Sequence, residues 1–176
     1  PMQFRWNHAQ GAPDYDRETG FGFVTGAVYT ADAALHIPET SSGFLPLWWY
    51  AGTPIFDIQQ GEYGLQATAA EALRAEDAAD RRLPVWLRIQ VPGEGVYRAE
   101  ITVTGTDGGE VLVFTGRRRL AWRGVLPAGA QQIVTAYCDV FPIVPRGQAD
   151  AVASDAVNIA VVGGALTAVA LAEAPD

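Results

Sequence analysis

Apolar and polar positions alternate along most of the second half of this chain. Val85, Leu87, Ile89 and Val91 fall on one side of a segment, with Trp86, Arg88 and Gln90 on the other. Val96 to Gly105 repeats the pattern, with Tyr97, Ala99, Ile101 and Val103 on one side. Val111–Thr115, Leu120–Val125, Gln132–Phe141, Ala156–Val162 and Leu166–Leu171 read as further strands. Turn residues separate them: Pro92-Gly93-Glu94-Gly95, Asp107-Gly108-Gly109, Pro127-Ala128-Gly129, Pro142 to Gly147, and Gly163-Gly164. Asp107-Gly108-Gly109 predicts a hairpin.

The first third is less regular. Met2 to Trp6 alternates, with Met2, Phe4 and Trp6 on one face. Gly11 to Gly20 is a polar loop. Phe21-Gly22-Phe23-Val24 follows as a strand in which Gly22 marks a close backbone approach. Residues 31 to 54 look irregular. Thr68 to Arg82, rich in Ala, Glu and Arg, reads as an exposed helix or a long loop that ends before Pro84. Eight to ten short strands at intervals of about 8–12 residues predict an all-β antiparallel sandwich. One domain is expected over 1–172, with 173–176 as the start of a linker. No strand–helix alternation supports a parallel sheet.

Composition narrows the function. Apolar residues make up 49% and charged residues 18%, so the chain can form a core without a metal or disulfide staple. The net charge is −8, and all 12 basic residues are Arg. An acidic domain lacks the basic face that phosphate neutralisation needs, which argues against nucleic acid. No apolar run is long enough to span a membrane as a helix. Cys138 is the single cysteine, so a CxxC zinc site is excluded, and a small buried apolar role is expected for it. No charged-then-apolar leader is visible at the N-terminus. The compartment stays open: extracellular for a piece of a secreted enzyme, cytoplasmic if Met2 is the native start.

Candidate chemistry is sparse. Serine occurs at Ser41, Ser42 and Ser154, and histidine at His8 and His36. None of the serines sits in a GxSxG elbow. The acidic residues show no spacing that brings two together as an acid and a base. Asp14-Tyr15-Asp16-Arg17-Glu18 offers oxygen ligands that a structural Ca²⁺ could take, with Asp14 and Asp16 as candidates. The competing reading is a turn whose Asp side chains cap backbone amides.

Five Trp are many for a domain of this size. Trp48-Trp49-Tyr50 cannot all point into one face of a strand, and an exposed member would offer a ring to a sugar. The competing reading is that all three plug an end of the sandwich. Arg117-Arg118-Arg119 must place neighbours on opposite faces, which implies either a salt bridge or, at Arg118, a grip on an acidic sugar.

Several segments in order resemble a known arrangement. Asp16-Arg17-Glu18-Thr19-Gly20-Phe21-Gly22-Phe23, Val91-Pro92-Gly93 with Val96-Tyr97, Val113 to Leu120, and Ile143-Val144-Pro145-Arg146-Gly147 carry it. They resemble the galactose-binding-like accessory domains that precede GDSL (SGNH-type) esterase domains, a group with rhamnogalacturonan acetylesterase-like members. The resemblance implies a jelly-roll sandwich without catalytic residues of its own. It also implies a polysaccharide or oligosaccharide as partner and a neighbouring esterase domain in the parent chain. Trp48, Trp49, Tyr50, Arg118 and Asp14 are then the expected ligand-binding residues. The alternative is a structural domain that packs against the esterase and binds no sugar.

Overall fold

The computed structural model describes residues 2–24, 56–69, 84–116, 119–142 and 155–175. They form an all-β sandwich of two antiparallel sheets, as the alternation predicts. The strands are β1 (Gln3–Asn7), β2 (Phe21–Phe23), β3 (Phe56–Gly61), β4 (Gly64–Ala69), β5 (Pro84–Gln90) and β6 (Gly95–Gly105). They continue with β7 (Glu110–Thr115), β8 (Arg119–Val125), β9 (Gln131–Val140), β10 (Ala156–Val162) and β11 (Gly164–Glu173). The front sheet has the order β3-β4-β11-β6-β9, with β1 also paired to β11, and the back sheet has the order β2-β5-β10-β7-β8. Among the described residues no helix is long and apolar enough to cross a membrane.

The inward positions of the alternating strands meet in one core. Trp6, Leu87, Ile89, Ile101, Val113, Ile159, Val161, Leu166 and Val169 are among its buried members. Each such side chain contributes roughly 1.5–3 kcal/mol by leaving water. Trp6 meets Phe23 edge-on at 5.3 Å between ring centroids, which ties β1 on the front sheet to β2 on the back.

Three sequence expectations need correction. Asp107-Gly108-Gly109 does not close a hairpin, because β6 lies in the front sheet and β7 in the back. Gly105 is held by the β8–β9 connection instead: its N–H donates to the Ala130 carbonyl at 2.9 Å, and its carbonyl accepts from Gly129 at 2.9 Å. A Cβ at Gly105 would collide with the Pro127 and Leu126 carbonyls. A turn signal marks a change of direction; tertiary contacts decide which sheet the chain enters. The connections β5–β6, β8–β9 and β10–β11 cross between sheets in the same way, whereas β3–β4 and β7–β8 are hairpins.

The second correction concerns β3 and β4. Sequence patterning missed this hairpin because Asp57, Gln59, Gln60 and Gln66 dilute its apolar positions, and among its described side chains only Leu65 is fully buried. Thr68 and Ala69, expected to begin a helix, end β4 instead; the remainder of that expected helix lies outside the described residues. The third concerns β5 and β10, which are buried on both faces. Trp86, Ala160 and Val162 form a second small cluster on the far side of the back sheet. At the C-terminus, β11 runs through Glu173, and the Ala174 N–H donates to the Val96 carbonyl at 2.9 Å.

Candidate functional site

The expected ligand residues Trp48, Trp49, Tyr50 and Arg118 lie outside the described residues, as do His36 and all three serines. Arg119, the described member of the Arg run, faces solvent and meets Asp139 at 3.5 Å, joining the edge strands β8 and β9. His8 sits against Gln60, with its Nδ1 at 2.8 Å from the amide nitrogen.

Asp14 and Asp16 flank Tyr15 in a stretch that runs beside β2. Tyr15 N–H donates to the Phe23 carbonyl at 3.0 Å, and Phe23 N–H donates to Pro13 at 2.8 Å. The Asp16 carboxylate accepts from the Glu18 amide at 2.8 Å, so it caps the turn. Among the described residues, no three His, Cys, Asp or Glu side chains gather closely enough to hold a metal ion.

Tyr15 serves the back sheet. Its ring lies under the Arg88 guanidinium, whose central carbon is 5.1 Å from the ring centroid. Arg88 is 1% exposed. Burial pulls its pKa below the ordinary arginine value, opposed by Tyr15 and Asp155. Asp155 also pairs with Arg17 at 3.0 Å. One strand over, the Trp86 indole donates to Asn158 Oδ1 at 3.2 Å. These polar groups on the outer side of the back sheet are engaged in holding strands together.

The outer side of the front sheet is different. Antiparallel register sets its side chains in rows across four strands. One row is Gln3, Ala172, Arg98 and Tyr137; the next is Arg5, Ala170, Glu100 and Thr135; the third is Asn7, Ala168, Thr102 and Ile133. The alternate positions Tyr97, Ala99, Ile101, Val169 and Leu171 point into the core, so these rows point out. Ala168, Ala170 and Ala172 therefore follow one another along β11 with taller side chains on either side. The result is a trough, with a groove of about 430 Å³ between Arg5 on β1 and Tyr137 on β9. That lies within the roughly 300–1,000 Å³ typical of small-ligand sites.

Tyr137 is 51% exposed. Beside it, Arg98 and Glu100 form an ion pair at 3.1 Å. The groove thus offers an aromatic face, a guanidinium, a carboxylate and the Gln3 amide. That set can stack on a ring and exchange hydrogen bonds with hydroxyl groups in both directions. Sequence reasoning missed these residues, although the signal was present: alternation in Gln132–Phe141 already turns Ile133, Thr135 and Tyr137 away from the core. Which outward faces lie side by side depends on strand order.

Two of the resemblance motifs serve turns, while Ile143-Val144-Pro145-Arg146-Gly147 lies outside the described residues. Tyr97 Oη donates to the Gly93 carbonyl at 2.7 Å, pinning the Pro92–Gly95 turn to the strand that follows it. Asp16 and Gly20 shape the turn into β2, with Gly20 N–H donating to the Asp16 carbonyl at 2.9 Å.

Comparison with known proteins assigns no family. No family model matches the chain, and no curated protein matches it in sequence. A solved structure that aligns with it is protein YXIM of Bacillus subtilis, at 13% identity and a TM-score of 0.46. The alignment covers 99% of this chain and 41% of that one, so the chain spans less than half of that protein's length.

Proposed function

We propose that this domain is a non-catalytic carbohydrate-binding module that takes a polysaccharide chain on the outer face of its front sheet. The observation that carries this reading is Tyr137, half exposed beside the alanine-floored groove and next to the Arg98–Glu100 pair. A sugar ring presents C–H groups on one face and hydroxyl groups around its edge. An exposed aromatic satisfies the first, and paired charged groups satisfy the second. The resemblance to accessory domains of GDSL esterases supports the same role. It adds a neighbouring esterase domain as the context in which the module would concentrate substrate.

Affinity electrophoresis against pectins and xylans tests this. Retarded migration with at least one glycan is expected, and Tyr137→Ala should abolish the retardation. Unchanged migration with every polysaccharide would overturn the reading.

A second reading is a domain that packs against a neighbouring catalytic domain without binding sugar. Exposed Leu120 and Val125 on the edge strand β8 favour it. Here Val125→Asp should reduce the solubility or turnover of the esterase to which the domain is joined. Indifference of the parent enzyme to that change, and to removal of the whole domain, would end this alternative.

A further inference from the structure

We infer that the groove takes an acidic glycan, with Arg5 reading a sugar carboxylate while Tyr137 stacks on a ring farther along the same chain. This rests on the glycan-binding reading above and adds the class of sugar and the track it follows.

Two observations on different strands carry the inference. The first is the floor of the groove. Alanine is a poor strand former, and outward positions at a sheet centre ordinarily carry β-branched or aromatic residues. Yet Ala168, Ala170 and Ala172 occupy successive outward positions of β11, with β1 on one side and β6 on the other. Local preference is set aside along a whole strand face, and such departures mark sites where shape matters more than propensity. The lowered floor lets an extended ligand lie between the strands that flank β11.

The second observation is the charge at the groove's rim. Arg98 is neutralised by Glu100 at 3.1 Å. Arg5 lies in the same row as Glu100, with Ala170 between them. Among the described residues, none of the ion pairs includes Arg5. Its guanidinium is exposed and can meet a carboxylate through two parallel N–H donors. Arg5 and Tyr137 sit three strand spacings and one row apart, about 16 Å by strand geometry. That is too far for a single ring, so the ligand must be a chain.

The net charge of −8 would repel a polyanion at long range. At physiological salt the screening length is about 8 Å, so the contact at Arg5 decides the outcome more than the distant charges do.

Calorimetric titration of the intact chain with an oligogalacturonate, and with the carboxyl-reduced neutral oligomer of the same length, tests the inference. The acidic oligomer should bind more tightly, with an affinity that falls as salt rises. Arg5→Ala should lower that affinity by about ten- to hundredfold and leave the neutral oligomer unaffected. Ala170→Tyr, at an outward position, should block both oligomers while circular dichroism shows the fold intact.

Equal binding of the two oligomers, with Arg5→Ala silent, would overturn the acidic assignment and leave the carbohydrate-binding reading standing. Binding untouched by Ala170→Tyr would move the site elsewhere. Failure to bind any glycan would remove both readings. Self-association that Ala170→Tyr disrupts, without glycan binding, would give the groove to a second copy of the chain.

Discussion

At Gly22 the backbone of β2 passes so close to Tyr15 that a Cβ would collide with the Tyr15 and Asp14 main chain, and φ is +157°. Replacing this glycine has no cheap relief, because the neighbour is backbone. Gly22→Ala should cost about 3 kcal/mol, seen as a lower urea midpoint with an unchanged slope. Arg88 poses the opposite problem, a large cation at full burial over the Tyr15 ring. Arg88→Ala removes the packing of its stem along with its charge, and should destabilise by about 3 kcal/mol in the same measurement. Cys138 is 4% exposed, and burial pushes its thiol from 9.0 up to about 11. Below pH 9 both folded and unfolded chains keep the proton. Between pH 9 and 11 the unfolded chain releases it and the folded chain does not, so stability falls as pH rises. Tyr97, raised by burial, acts in the same direction. Cys138→Ala should flatten part of this alkaline decline by about 3 kcal/mol at most, read from urea midpoints across the pH series. The wild-type thiol should also resist alkylation at pH 8 until the protein is unfolded.

Strands differ in how much they carry. β10 lies at the centre of the back sheet, paired with both β5 and β7 and buried throughout. Ile159→Ala there should cost about 3 kcal/mol, the ordinary range for a truncated core side chain. β8 and β9 close the neighbouring edges of the two sheets, and Arg119–Asp139 spans them with side chains 65% and 46% exposed. An exposed pair at 3.5 Å contributes little, so Asp139→Asn should change the thermal midpoint by no more than one or two degrees. The contrast was partly legible beforehand. Val134, Ala136, Cys138 and Val140 mark one wholly apolar side of β9, but Ile133 and Tyr137 blur the other, and the apolar run of Ala156–Val162 read simply as one more strand, with its burial on both faces left to the structure. The β3–β4 hairpin was not legible, because it has few apolar positions and its short Glu62–Tyr63 connection carries none of the usual turn pairs.

In the whole molecule, one core takes side chains from both sheets, and repeated crossings stitch the sheets together. Unfolding should therefore be a single transition, with tryptophan fluorescence and far-ultraviolet circular dichroism coinciding. Separated transitions would show that one sheet survives without the other. The candidate groove belongs to this scale as well. Arg5, Ala170 and Glu100 stand far apart in the chain and become one row only because β1, β11 and β6 pair in that order. Sequence by itself determined the antiparallel sandwich, the core-facing side of Val85–Val91 and of Val96–Gly105, and the turns that punctuate the second half of the chain, because alternation and turn chemistry act over a few neighbouring residues. Strand order, the sheet each turn leads into, the burial of Arg88 and the assembly of the groove were decided only in the tertiary structure, because they depend on which distant strands pair.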